Sequence, residues 1–190
     1  MQYPEVKLGL PAWVAEAVRD RTYPDVESRM RLATELAQLN VERGTGGPFG
    51  AGVFDRETGR LVAPGVNLVT SAGCSVAHAE MVAIMVTQKI EGTFDLGSDG
   101  RDFELVTSTE PCAMCLGAVP WSGVRRLVCG ARDEDARAIG FDEGAKISEW
   151  EAALAERDIA VLRDVGRERA AAVLRAYADG GGRIYNSRES

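Results

Sequence analysis

Apolar residues recur at helical spacing over Val26, Met30, Ala33, Leu36, Ala37 and Val41, which predicts an amphipathic helix over 26–43 with Asp25 as its N-cap. A shorter helix is expected over 12–20, behind Pro11. Residues 44–50 read as a glycine-rich loop. Strands are expected over 49–55 and 61–69, joined by a turn at 55–60 into a hairpin. The pattern then changes period repeatedly: a helix over 77–90, a strand over 103–108, and a helix over 111–120 with Pro111 in its first turn. A strand over 124–129, a helical stretch over 131–138 and a loop over 139–145 follow. The last elements are a helix over 148–157, a strand over 159–162 and an alanine-rich helix over 166–179 that Gly180, Gly181 and Gly182 stop. The order α-β-β-α-β-α-β-α-β-α predicts an α/β fold, a mixed sheet with helices on both faces.

Composition narrows the classes. The chain has 190 residues, the length of one domain, and 1–190 is expected to be a single domain. Hydrophobic residues make up 45% and charged residues 27%, an ordinary globular balance. The 22 basic and 29 acidic residues leave a formal charge of −7, which argues against a nucleic-acid partner because phosphate contacts need a basic face. The excess of Arg over Lys reads as coding bias. No apolar run approaches the roughly 20 residues that span a bilayer, and the first ten residues lack the apolar segment of a signal peptide. A cytoplasmic chain with no membrane partner is the expectation, and in that compartment a close cysteine pair points to metal binding or catalysis sooner than to a disulfide.

The chemistry concentrates in two short segments, His78-Ala79-Glu80 and Pro111-Cys112-Ala113-Met114-Cys115, each at a predicted helix start. Cysteines at i and i+3 share a helix face, so both sulfurs can reach one metal. A helix N-terminus and a zinc ion both favour thiolate over thiol. His78 is the only histidine in the chain, which excludes two-histidine hydrolase sites and completes a set of one nitrogen and two sulfurs. Three protein ligands leave the fourth tetrahedral position to water, the arrangement of a catalytic rather than a structural zinc site. Zinc lowers the pKa of such a water towards about 7. Glu80, two residues from His78, is placed to carry its proton. A redox reading of the cysteine pair would leave His78 and Glu80 unused. Cys129 is expected to be a core thiol, and Cys74 a spare ligand at best.

H-x-E followed by P-C-x-x-C is the signature of zinc-dependent base deaminases. On His78-Ala79-Glu80 and Pro111-Cys112-x-x-Cys115 the chain resembles the cytidine deaminase-like superfamily, through roughly residues 28–186. Gly46-Gly47-Pro48-Phe49-Gly50, Asn67, Ala138-Ile139-Gly140-Phe141-Asp142-Glu143-Gly144 and Ile184-Tyr185-Asn186 resemble its guanine deaminase branch more closely. The resemblance implies a three-layer α/β/α sandwich on a five-stranded mixed sheet, one Zn2+ per chain, a homodimer and a nucleobase substrate. It also implies a pocket role for Asn67 and a C-terminal aromatic segment, here with Tyr185, closing over the pocket.

Substrate class turns on Glu143. Guanine presents N1–H and an exocyclic NH2 side by side, and a carboxylate can accept from both. Cytosine and adenine set an acceptor beside the amine and would be mismatched. Asp142 is the alternative acid, and Glu143 is favoured. Phe49 and Phe141 could stack on the ring, or could be core aromatics. The Ala79 N–H, at a helix start, could hold the base oxygen. The expected activity is hydrolysis of guanine to xanthine and ammonia, with aminotriazines such as ammeline as further substrates. A deaminase of guanosine, cytosine, cytidine or tRNA adenosine is the alternative. A non-catalytic zinc-stabilised module would need a fourth protein ligand and no Glu80. Nothing before residue 26 suggests a functional role, and Trp13 and Val14 read as packing residues.

Overall fold

The structure, a computed structural model, describes residues 2–18 and 22–186. Its elements in chain order are α1 (Ala12–Ala17), α2 (Val26–Glu42), β1 (Gly50–Asp55), β2 (Leu61–Val66), α3 (Val69–Ala72), α4 (Ala79–Glu91), β3 (Phe103–Thr109), α5 (Ala113–Ser122), β4 (Arg126–Ala131), α6 (Asp133–Ala138), α7 (Trp150–Ala155), β5 (Ala160–Leu162) and α8 (Arg167–Asp179). The five strands form one mixed sheet in the order β2-β1-β3-β4-β5. β1 pairs antiparallel with both β2 and β3, whereas β3, β4 and β5 run parallel. The expected five-stranded mixed sheet is therefore the one observed.

Strand alternation sorts the core into two layers. Ala51, Val53, Leu105, Leu127 and Cys129 pack on one face against α4, α5 and α7, through Ala83, Leu116, Val119, Trp150 and Leu154. Phe54, Val106 and Val128 pack on the other face against Met30, Ala33 and Leu36 of α2. Asp25 caps α2 as its sequence suggests: the Asp25 carboxylate accepts from Ser28 N, and the Ser28 hydroxyl accepts from Asp25 N. Gly65 lets α4 lie close on β2, since a Cβ there would sit 2.1 Å from the Ala79 carbonyl oxygen.

Four local expectations are corrected. The second strand stops at Val66, not at 69, because Asn67 Oδ1 accepts from Val69 N and turns the chain into the short α3. Pro111 lies outside α5, whose N-cap is Cys112. That helix also continues through Pro120 to Ser122, giving up one backbone hydrogen bond in its last turns; Leu96 N donates to Ser122 O and the Ser122 hydroxyl to Val119 O, which secures the end. The strand ending at 129 runs on to Ala131. The expected first helix ends at Ala17, and its positions 19 and 20 fall outside the described residues, as do residues 187–190 of the tail. Val14 packs in the second core layer, and Trp13 Nε1 donates to Thr45 Oγ1.

Candidate active site

The parallel strands β3 and β4 end side by side, Thr109 opposite Ala131, and both lead into loops at the same edge of the sheet. Ligands of open α/β sheets gather at the carboxyl ends of such strands. Glu110, Pro111 and Cys112 leave β3 there and open α5, while α4 brings His78 as its N-cap. Two helix N-termini thus converge on one spot, each offering a positive dipole end to thiolates and to a carboxylate.

His78 Nδ1 lies 3.5 Å from Cys112 Sγ and 3.6 Å from Cys115 Sγ. The three ligand atoms all lie within 4.8 Å of one another. Tetrahedral zinc, with Zn–S of about 2.3 Å and Zn–N of about 2.0–2.1 Å, requires N···S separations of roughly 3.6 Å. The donor set and its spacing therefore fit zinc. Among the described residues this group comprises those three side chains and no fourth. Cys74 is not part of it and packs against the second core layer, and Cys129 is fully buried in the first, where burial raises its thiol well above the usual range.

Burial and mutual charge shift the titrating groups of the cluster. A hydrogen bond from Cys115 holds the Cys112 thiol down to about 4, while the same contact and burial drive Cys115 upward. Burial opposes a charged His78, but the Cys112 hydrogen bond and the Glu80 charge outweigh it and raise the ring. Burial, helped by the Cys112 charge, pushes the Glu80 carboxyl up to about 7. Burial, then the charges of Cys112 and Glu80, pushes Glu143 up to about 8. A bound cation lowers all these acids.

A cavity of about 240 Å3 opens above the cluster, walled by His78, Glu80, Cys112, Phe49, Glu143 and Tyr185, among others. Glu143 is 6% exposed; Asp142 also borders the cavity, but its side chain is 66% exposed and its Oδ1 accepts from Gly144 N. Phe141 meets Phe49 and Tyr185 edge-on, each at 5.0 Å between ring centroids. The Tyr185 hydroxyl is buried with no hydrogen-bond partner, and burial raises it. Gly47 makes room for it: a Cβ there would lie 2.0 Å from that oxygen. The tail of this same chain thus covers its own cavity. Asn186 ties it down, donating to Gly140 O and accepting from Asp142 N.

Of the residues singled out in the sequence, His78, Glu80, Cys112, Phe49, Phe141, Asp142, Glu143 and Tyr185 border one cavity. Asn67 and Ala79 stand just outside its walls, both buried. Sequence reasoning missed Glu110, Ser75 and Val69, which also line it. Glu110 carried a signal, an acid directly before Pro111-Cys112. It missed Asn40 as well, whose amide bridges Gly47 O and Asn67 O beneath the site. Its signal was a polar residue on the apolar face of α2.

Residues 24–131 match the family described as the cytidine and deoxycytidylate deaminase zinc-binding region. The chain belongs to that family. The guanine deaminase of Bacillus subtilis (strain 168) is 38% identical over 133 residues, 70% of this chain and 81% of its own length. Among solved structures, the NE0047 protein in complex with 2,6-diaminopurine is 45% identical with a TM-score of 0.90, covering 97% of this chain and 98% of that one. The guanine deaminase from Nitrosomonas europaea is 44% identical with a TM-score of 0.89, covering 94% and 99%. The guanine deaminase branch that the glycine loop, the 138–144 segment and the tail suggest is therefore where the similarity is found. Among the described residues no helix is long and apolar enough to cross a membrane.

Proposed function

We propose that this chain is a zinc-dependent guanine deaminase, hydrolysing guanine to xanthine and ammonia, with His78, Cys112 and Cys115 holding the metal. The observation that carries the reading is one cavity lined by His78 and Cys112 of the three-ligand cluster, by Glu80 and by buried Glu143. The similarity to guanine deaminases over nearly the full length, and to a structure holding 2,6-diaminopurine, supports it.

Zinc bound at the cluster supplies a water of lowered pKa. Glu80, beside Cys115, takes a proton from the attacking water and passes it to the ring nitrogen next to C2. Glu143 accepts hydrogen bonds from N1–H and the exocyclic amine of guanine, an edge with two adjacent donors, and then relays the proton of the new C2 hydroxyl to the departing amine as the C2 carbonyl forms. A carbon–oxygen bond forms at C2, the carbon–nitrogen bond to the amine breaks, and ammonia leaves. Phe49 and Phe141 flank the ring. Asn67, whose Oδ1 accepts from Val69 N, has its NH2 left to donate to the base, and the Ala79 N–H at the start of α4 is the donor assigned to the base oxygen, although neither residue lines the cavity. The Tyr185 hydroxyl, without a protein partner, serves the bound base or an ordered water. Asp142 instead holds the loop turn. Ammeline presents a comparable amino-carbonyl edge and is a further substrate.

The chain also pairs with a second copy of itself. The support is a groove of about 820 Å3 along α5 and α7, bordered by Leu116, Pro120, Trp121, Ile147 and Leu154, in which Trp121 stands 85% exposed. A large exposed tryptophan beside a groove with apolar walls is a surface that a second copy would cover. Sedimentation should give twice the monomer mass, and Trp121→Glu should return the monomer.

The function is tested by following guanine conversion in the ultraviolet with zinc-loaded protein and with Glu80→Gln. The expected result is xanthine formation by the first, and loss of about a thousandfold or more in the second with zinc still bound. Equal rates in both would overturn the mechanism.

A further inference from the structure

We propose that Asp133 and Lys146 are positioning residues that hold Glu143 in register with the Cys112 end of the site. This rests on Glu143 serving the substrate as described above. The segment from Ile139 to Glu149 has no regular structure, and after Phe141 it buries only Glu143 before Trp150. Apolar packing therefore does not locate Glu143 from its C-terminal side, and the fixed points there are polar. The Glu143 carbonyl oxygen accepts from Ala113 N, the first residue of α5. The next carbonyl, Gly144 O, accepts from Arg137, whose guanidinium also donates to Asp133 Oδ2. Two residues further on, Lys146 Nζ lies 3.2 Å from Asp133 Oδ1 and 3.6 Å from Glu110 Oε2.

Asp133 thus sits between the two cations that grip the loop on either side of Ala145. Glu110, the acid directly before Pro111-Cys112, takes Lys146 on one oxygen and Arg163 on the other, and its Oε2 also accepts from Asp133 N. One ionic network therefore joins the loop that carries Glu143 to the turn that carries Cys112. Its centre is sheltered, with the Lys146 side chain 9% exposed and that of Glu110 2%, while Asp133, Arg163 and Arg137 at its edge reach solvent. Ion pairs with a sheltered partner are screened less than exposed ones, so Lys146 draws the loop toward Asp133 and Glu110 by charge. A displacement of about 1 Å at a proton-transferring carboxylate can cost up to a hundredfold in rate. None of these groups needs to touch the base to have that effect.

The test is a double-mutant cycle on zinc-loaded protein with guanine as substrate. Lys146→Met should lower kcat about tenfold, change KM by less than about twofold, and leave one zinc per chain. In a Glu143→Ala background the same change should alter kcat by less than about twofold, because the group it positions is gone. Lys146→Arg should recover most of the loss, and Asp133→Asn should repeat the pattern of Lys146→Met and carry the test if that variant does not fold. Losses of equal factor in both backgrounds would overturn the proposal and make the network a fastener of the fold alone. If Glu143→Ala by itself costs nothing, the role of Glu143 falls and this inference with it. If another base proves to be the substrate but the cycle still shows coupling, the positioning stands and only the substrate assignment falls.

Discussion

The floor and the roof of the cavity are built by different means. The floor is two helix N-termini: His78 caps α4, Cys112 caps α5, and Glu80 and Cys115 follow within the first turn of each. Their spacing is set by helical geometry and by two neighbouring strand ends, and little else is needed. The roof is the loop from Ile139 to Glu149, the glycine loop with Phe49, and the tail with Tyr185 and Asn186. It is assembled from segments distant in sequence and held by edge-on aromatics, one hydrogen bond donated and one accepted by Asn186, and a partly sheltered ionic network. A floor of that kind suits chemistry common to a family, whereas a roof of that kind suits the choice of substrate.

Damage to the floor should therefore abolish turnover on every substrate. Cys115→Ser, or removal of metal by a chelator, is expected to take activity below detection, with zinc content by atomic absorption falling in parallel; activity persisting without metal would break the distinction. Next in size is Glu143→Ala, a roof change that reaches the chemistry. It should cost about a hundredfold to a thousandfold in kcat with guanine while zinc stays bound. Asn67→Ala should act mainly on KM, raising it about tenfold, as the loss of a hydrogen bond to the base would.

The smallest effects belong to the tail. Deleting residues 183–190 should raise KM for guanine severalfold and leave zinc content unchanged; no kinetic change would remove the tail from the roof. Gly47→Ala should mimic part of that loss, because its Cβ cannot coexist with the Tyr185 hydroxyl where it now lies. Tyr185→Phe in the Gly47→Ala background should recover little, since the ring carbons also lie within 3 Å of that Cβ.

The same division explains what could be read from the chain. The floor was legible because its signals are local: an i, i+3 cysteine pair, a capping position and a carboxylate two residues from a histidine. The helices and strands were legible from their periods, and errors fell where a side chain or a proline overrode the period, as at Asn67, which ends β2 early, and at Pro120, which α5 carries within it. The roof left weaker traces. Asn186 reaches Asp142 across 44 residues and Gly140 across 46, and no spacing announces such a contact. Glu104 makes the same point in the core: it looks like a surface charge in an otherwise apolar strand, yet it is fully buried between Arg29 and Arg126. Removing its charge would strand two guanidinium groups, so Glu104→Gln should destabilise the fold by about 3 kcal/mol or more, seen as a lowered Tm, without changing the substrate preference of the folded fraction.

The central claim is that a carboxylate in the roof selects a base edge with two adjacent donors. The direct test is ammonia release by zinc-loaded protein from guanine, guanosine, cytosine, cytidine, adenosine and ammeline, side by side. Release from guanine well above the nucleosides and cytosine, collapsing in Glu143→Ala, is the predicted result. Release confined to cytidine or adenosine would keep the zinc floor and contradict the reading of Glu143.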